Sequence, residues 1–531
     1  MENKALTDNL IKTNSTFSQA EKEQLLTVFE QNSILIEQQR NQIKILKEAL
    51  ILSRVKRFAP SSEKLNGQMS LFDEAELEVP DEPEDAPSPD KPTKPKNKTG
   101  RKEFSKNIPR VPVFLDLTDE EKEGATKVFY TKVKEELDII PAKVQILEYF
   151  QQKASFKSAT DNNTFSLKKA CLPKHPFPKA MGSINLMAYV IISKYADGLP
   201  LYRLEGILKR YGGEITRATL ANWIIHLSKQ LQPLINLLRD LQNAGAIIQM
   251  DETTVKVLKE LDKLPTSNKY MWVSRGGEPG KPSILFEYDP SRASDVPIRL
   301  LDGFSGYLQT DGYSGYNAAC VQNNMISVGC WDHARRKFKD AQSAQPTKKN
   351  NNKPTKADMA LSLINKLYRI EREVKESSTA QKYQIRQEKS LPQLKKLRKW
   401  IDNNLHKVPG DSLTGKALTY VNNQWKKLIV YCEDGRLNIS NVLAENAIRP
   451  FVIGRKAWLF SDSSKGAHAS SVHYSLIETA KANNIEPYAY LVHVLNKIPY
   501  ADTVEEIEAL LPWNYKKSIL EAAEIVKGAV R

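Results

Sequence analysis

Cysteine is scarce in this chain. Cys171, Cys320, Cys330 and Cys432 are the four among 531 residues, and no two form a Cys-x-x-Cys pair. That excludes a disulfide framework and lacks the ligand spacing of a four-cysteine zinc site, so zinc is not expected and a reducing cytoplasmic setting is. Long apolar runs are also missing: no stretch approaches about twenty consecutive apolar residues, so no membrane-spanning helix and no membrane partner are expected. The opening residues, MENKALTDNLIKTN, show no apolar run followed by a small-residue cleavage site, so no secretory signal is expected. There is no internal repeat of solenoid length.

What is present in excess is positive charge. Lys and Arg number 78 against 63 Asp and Glu, a net charge of +15. Such a balance favours a polyanion such as nucleic acid, although a lysine-rich solvated surface would give the same number. A chain of 531 residues exceeds one ordinary core, so several domains are expected.

The organisation reads as follows. In residues 17–55, Phe29, Ile36, Ile43 and Leu50 recur every seven positions, with Leu25, Asn32, Gln39 and Leu46 interleaved. A seven-residue apolar seam drives helix association, so a coiled coil is expected, with an intramolecular helical hairpin as the alternative. Residues 73–110 are rich in Pro and charge and predict a disordered tether. Residues 111–180 form a small mixed segment in which VQILEYFQQKASF reads as a strand or strand pair. In residues 183–241 apolar side chains return at helical spacing. There an amphipathic stretch from Tyr202 to Tyr211 meets Gly212-Gly213, and a second helix starts near Thr216. Helix, glycine turn and helix is helix-turn-helix grammar, which any two packed helices can imitate. On the second helix Arg217, Thr219 and Asn222 are the candidate DNA contacts.

From Ala246 the texture becomes β. AIIQMDETTVKVL, KYMWVSRG and PSILFEYD are short apolar runs separated by turn residues, and GYLQTDGYSGY and MISVGCWDHARRKF follow. Three strands, then a strand ending in an acid, then one more, is the programme of an RNase H-like sheet. Residues 246–340 would form its first part and 436–498 its second. The Lys- and Arg-rich helical stretch 341–435 lies between them, and a helical tail fills 499–531. The fold class expected is thus multidomain α+β. It combines an RNase H-like α/β core and a helical insertion with coiled-coil and helix-turn-helix-like regions before them.

Three carboxylates stand out. Asp251 follows AIIQM, in a strand otherwise suited to burial, where an unpaired charge is costly. An edge-strand surface acid is the alternative. Glu252 competes with Asp251 by adjacency, but strand alternation sends the two to opposite faces, so only one can line a site. Asp311 ends GYLQT and could simply initiate the turn DGYSGY. Glu445 precedes Arg449 by one helical turn, the spacing of a surface ion pair. Basic and aromatic residues cluster nearby: Trp331, His333, Arg335, Arg336 and Lys337, then Arg449, Arg455, Lys456 and Trp458. Such groups suit a phosphate backbone with a stacked base, or equally a solvated basic face over a tryptophan core.

Taken together, RFAPSSEKL, SLFDEAE, LPLYR, QMDETTVKVL, LQTDGYSGY, CWDHARRKF, LYRIE, AENAIRP and GRKAWLF resemble the transposases of insertion-sequence family sixty-six through most of the chain. The resemblance implies a bacterial, nucleoid-associated DDE transposase. Asp251, Asp311 and Glu445 would hold two Mg2+ or Mn2+ ions, and the enzyme would cut the element's terminal inverted repeats and join them to target DNA. It also implies a homo-oligomer with a leucine-zipper-like start and small accessory proteins as partners. The alternatives are a non-catalytic DNA-binding relic and another RNase H-like nuclease. Two departures from the family pattern stand out. The usual zinc-binding segment is replaced by EKEGATKVFYTKVKEELDIIPAKVQIL, which has no cysteine. The stretch before the glutamate reads Ser440-Asn441-Val442 rather than Asp-Asn-Asn, which bears on the support of that glutamate.

Overall fold

The computed structural model describes residues 18–58, 130–131, 144–157, 165–178, 180–344, 354–516 and 518. The tether 73–110, most of the segment 111–180, including the bulk of the cysteine-free stretch, and the end of the tail beyond 518 lie outside the described residues.

Helix α1 (Gln19–Phe58) runs unbroken because its 40 residues contain neither Pro nor Gly. Ser18 and Glu21 start it with a capping box, the Glu21 carboxylate accepting from Ser18 N at 2.9 Å. It packs against the helices 331–343 and 413–428 further along the chain, where Glu48 accepts from Leu413 N at 3.4 Å. The seam residues Phe29, Ile36, Ile43 and Leu50 remain exposed.

In the small segment, β1 (Lys153–Lys157) pairs antiparallel with β2 (Phe165–Lys169). Residues 144–152 carry no regular structure, so the strand expected over VQILEYFQQKASF occupies only its last residues. Three helices follow: α2 (Ile184–Tyr195), α3 (Leu201–Arg210) and α4 (Arg217–Asn243). Gly212, at φ +87°, makes the turn between α3 and α4, a conformation that side-chain-bearing residues rarely take. Thr216 caps α4 by accepting from Thr219 N at 3.3 Å. Leu220, Trp223, Ile224, Leu227, Leu231, Leu234 and Leu238 recur every three or four residues along α4 and are all buried.

The sheet has five strands in the order β6-β5-β3-β7-β8. They are β3 (Ile247–Val255), β5 (Lys269–Gly276), β6 (Ser283–Asp289), β7 (Tyr307–Gln309) and β8 (Ile326–Val328). A short strand, β4 (Val257–Lys259), lies apart and pairs in parallel with β9 (Ser461–Ser463). β3–β5 and β5–β6 are antiparallel, whereas β3–β7 and β7–β8 are parallel. Parallel neighbours need crossovers, and α5 (Asp295–Leu300) and α6 (Tyr316–Gln322) supply them.

The two faces of the sheet carry different cores. Ile248, Met250, Trp272 and Leu308 point to one face, where they pack with Val296, Leu300 and Tyr316 of α5 and α6. On the opposite face, Val273, Ile284, Phe286 and Tyr288 meet the later helices α12 (Val442–Trp458) and α13 (Ser464–Ala482). Beside them, Val328 joins a separate core of the helices between the sheet and α12. Those are α7 (Trp331–Ser343), α8 (Lys356–Glu373), α9 (Thr379–Ile385), α10 (Leu391–Leu405) and α11 (Leu413–Leu428). Ile364, Leu367, Leu394, Leu397, Leu418 and Val421 are buried among them. At about 2 kcal/mol for each buried aliphatic side chain, this set gives the inserted helices a core of their own. Further along lie α14 (Pro487–Lys497) and α15 (Val504–Glu508).

A candidate carboxylate centre at the strand ends

Gln249 and Gln309 face each other in the last pair of the parallel ladder between β3 and β7. Asp251 and Asp311 each come two residues later, Asp251 in the middle of β3, which runs on to Val255, and Asp311 just beyond the end of β7. Both lie just past the end of the parallel ladder, and ligands of open α/β sheets gather at the carboxyl ends of parallel strands. The two glutamines fix the geometry. Gln249 Nε2 donates to Gln309 Oε1 at 2.7 Å, and Gln309 Nε2 donates to the carbonyls of Asn438 at 2.8 Å and Gly329 at 3.2 Å. Gln249 Oε1 accepts from Ala444 N at 3.3 Å. One buried amide pair thereby ties both aspartate strands to the first turn of α12. Asn441 completes the join, donating from Nδ2 to Met250 O at 2.9 Å. The departure at Ser440-Asn441-Val442 therefore leaves the support of the glutamate in place.

Glu445 lies in that first turn and is 3% exposed. It is no surface acid. Its Oε2 lies 3.4 Å from Arg336 Nη2 and its Oε1 3.5 Å from His333 Nδ1. Burial raises its pKa to about 7, against the lowering effect of Arg336 and with a further push from Asp332 and Asp311. Burial also drives the Asp251 carboxyl well above the usual carboxylate range, and the charges of Glu252, Glu445 and Asp311 add to the shift. Asp251, Asp311 and Glu445 thus feel one another across a shielded space.

Asp251 sits on the central strand, so it is not an edge acid. Glu252 points the other way and is committed there: Arg292 Nε donates to it at 2.8 Å and the Tyr316 hydroxyl at 2.5 Å. Asp311 does act as a turn former, accepting from Tyr313 N at 2.8 Å through Oδ1, and Gly312 follows it at φ +92°. The Asp311 carbonyl accepts from the Tyr420 hydroxyl at 2.7 Å, so the inserted helix α11 holds that turn.

The basic residues separate by position. Arg336 is exposed beside Glu445, and Lys337 lies 4.8 Å over the Tyr420 ring. Arg455 Nη1 reaches Thr253 Oγ1 at 3.2 Å near the end of β3, and Lys456 is exposed next to it. Arg449 is half-buried on the same helix. Arg335 is turned inward instead: it is 7% exposed and its Nε donates to Asn365 Oδ1 at 3.0 Å. It ties α7 to α8 and does not present itself to a phosphate. On α4, Arg217 and Asn222 are exposed, whereas Thr219 serves the helix cap.

Gln249 and Gln309 escaped the reading of the sequence, and Asn441 entered it only as part of the departure before the glutamate. A signal for the first two existed: Gln-x-Asp occurs twice, in QMDE and LQTDG.

Comparison with known proteins decides the family. The family model described as Transposase IS66 family matches residues 179–469. The chain belongs to the IS66 transposase family. Two further models match this IS66-family chain: the IS66 C-terminal element over 475–513, and one described as Transposase C of IS166 homeodomain over 45–113. A protein of Sinorhizobium fredii named Uncharacterized protein y4qI is 32% identical over 450 residues, covering 82% of this chain and 79% of its own. Uncharacterized protein y4hP of the same organism is 27% identical over 410 residues, covering 75% and 72%.

The divalent ions that such a family implies fit what is here. Hard cations take carboxylate oxygens. Asp251 is held by burial and mutual repulsion in a state that an added positive charge would relieve, and Glu445 Oε1 is buried without a hydrogen bond. Among the described residues no helix is long and apolar enough to cross a membrane.

Proposed function

We propose that this chain cuts DNA at the ends of an insertion sequence and joins those ends to target DNA, with Asp251, Asp311 and Glu445 as the catalytic carboxylates. The observation that carries this is their convergence: two aspartates just past the end of the parallel ladder between β3 and β7, and a buried glutamate on a helix hydrogen-bonded to β3. The strand order, three antiparallel strands with two parallel additions beside the first, supports an RNase H-like core.

Two Mg2+ or Mn2+ ions held by the three carboxylates would supply activation of the attacking oxygen and stabilisation of the leaving oxygen. The chain's own residues position and neutralise. Arg336 beside Glu445, Lys337 over Tyr420 and Arg455 beside Thr253, with the exposed Lys456, would meet phosphates of the bound strand. Gln249, Gln309 and Asn441 hold the carboxylates rigid, since sub-ångström placement decides rate. Hydrolysis leaves a 3′-hydroxyl end, and that hydroxyl then attacks a phosphodiester of the target. No covalent protein–DNA intermediate is involved.

The helix pair α3–α4 presents Arg217 and Asn222 for end recognition. The exposed seam of α1 supports self-association, and accessory proteins of the same element remain expected partners. Ile43→Glu should then convert an oligomer to a monomer in light scattering.

The deciding experiment is cleavage of labelled element-end DNA with Mg2+ or Mn2+, comparing wild type with Asp251→Asn and Glu445→Gln. Cutting by wild type alone supports the assignment. Cutting by either variant at the wild-type rate overturns it for that residue. Retained binding without cutting by wild type would favour a DNA-binding relic, and cutting of branched DNA regardless of end sequence would favour another nuclease.

A further inference from the structure

Cys330, His333 and Glu445 bring a thiol sulfur, a ring nitrogen and a carboxylate oxygen within 4.8 Å of one another. Cys330 is fully buried where β8 leads into α7, and His333 lies in the first turn of that helix, so both stand on rigid backbone. The Cys330 sulfur accepts from Asn441 N at 3.2 Å, which fixes it against the start of α12.

Two of these ligand atoms lack what buried polar atoms normally have. Glu445 Oε1 and His333 Nδ1 are both buried without a hydrogen-bond partner, although they face each other at 3.5 Å. That is beyond the range of a direct N–H···O bond. Burying a polar atom without a partner is costly. By contrast, a buried charge elsewhere in the inserted helices is satisfied: Arg386 donates to Glu371 and to three carbonyls.

We propose that Cys330, His333 and Glu445 form a second cation site, suited to Zn2+ or Co2+, that takes Glu445 away from the two aspartates when filled. The donor set makes the selection. Mg2+ requires oxygen ligands, whereas a thiolate with an imidazole selects borderline transition ions. Bonds of about 2.3 Å to sulfur and about 2.0–2.2 Å to nitrogen and oxygen need the three atoms drawn together by roughly 1 Å. Three protein ligands leave a fourth position for water, and His333, 26% exposed on its side chain, marks the way in from solvent. Binding releases the Cys330 proton, since the metal ligand is the thiolate.

This site is distinct from the segment 111–180, where the family's zinc-binding residues are missing. Its existence rests on the geometry alone. Its consequence, inhibition of cutting by Zn2+ in competition with Mg2+, rests on Glu445 being the third catalytic carboxylate.

The test uses full-length protein carrying Cys171→Ser, which removes the exposed cysteine. Co2+ is titrated and followed by absorption. The expected result is one tightly bound ion per chain with sulfur-to-cobalt charge-transfer absorption, bleached by Zn2+ and indifferent to excess Mg2+. Cys330→Ser should abolish the charge-transfer band while circular dichroism shows an intact fold. His333→Gln should weaken binding by about tenfold or more, as loss of one of three ligands requires. Should Cys330→Ser fail to fold, His333→Gln and Glu445→Gln carry the comparison. Absence of the band, or a band that survives in all three variants, overturns the site. Cleavage that stays insensitive to Zn2+ at saturating occupancy overturns the competition. Cleavage surviving Glu445→Gln defeats the catalytic reading while leaving the cobalt signature standing.

Discussion

Two buried polar clusters, one within the helical insertion and one beside it, are built on opposite principles. Around Arg386, every donor is used: Nε and Nη2 bind Glu371 at 2.9 and 2.6 Å, and the remaining bonds go to the carbonyls of Tyr431, Asp434 and Leu437. Around Glu445 the buried atoms are under-bonded, and the carboxyl titrates near neutrality. A satisfied cluster costs little once folded and specifies one arrangement of the chain. An unsatisfied one stores a penalty that a ligand can relieve, which is why such groups collect at functional sites. The first cluster anchors the segment 431–437, and that segment leads directly into the helix bearing the second.

The comparison breaks most sharply at the carboxylates. Asp311→Asn should lower the strand-cleavage rate by at least about a thousandfold, equivalent to roughly 4 kcal/mol, with end-DNA binding unchanged by gel shift. Loss of binding in parallel would turn Asp311 into a structural residue. Next comes Arg386→Ala, which strands a buried glutamate and several carbonyls. A loss of about 3–5 kcal/mol in denaturant unfolding is expected, and a loss below about 1 kcal/mol would mean that the segment 431–437 is held by something else.

Glu445→Gln should act in the opposite direction on stability. The folded carboxyl titrates near 7, above its ordinary 4.5, so its contribution is full below about 4.5 and is lost as pH rises through 7. In metal-free buffer at pH 8 the glutamine variant should be more stable than wild type, by on the order of 3 kcal/mol at most. The gain should vanish towards pH 5. A thermal-melt series across that range checks it, and a pH-independent difference would contradict the assigned shift. The smallest effect belongs to Tyr420→Phe, which removes one hydrogen bond to the Asp311 carbonyl. About 1 kcal/mol of stability should go, together with a measurable fall in cleavage rate if α11 positions the Asp311 turn.

Much of this was legible in the chain. Short apolar runs and turn signals located the sheet strands, Thr216 located the start of α4, and the motif order located the family. The strand at 153–157 was read too broadly, because Ile146, Leu147 and Phe150 are apolar yet exposed. Arg335 looked like its neighbours Arg336 and Lys337. Only the packing of α7 on α8 turns it inward, since one residue along a helix rotates the side chain by roughly 100°.

The sequence by itself determined which acids stand in or just after the strands and which segments are helical, because periodicity and turn chemistry are local. Which acid of the Asp251–Glu252 pair faces the centre needed the sheet. Glu252 finds Arg292 and Tyr316 on one face, leaving Asp251 to Glu445 on the other. Whether Glu445 is a surface acid or a buried one needed the fold as well. Burial and the pairing of Gln249 with Gln309 are products of contacts between residues far apart in the chain, which no local pattern encodes.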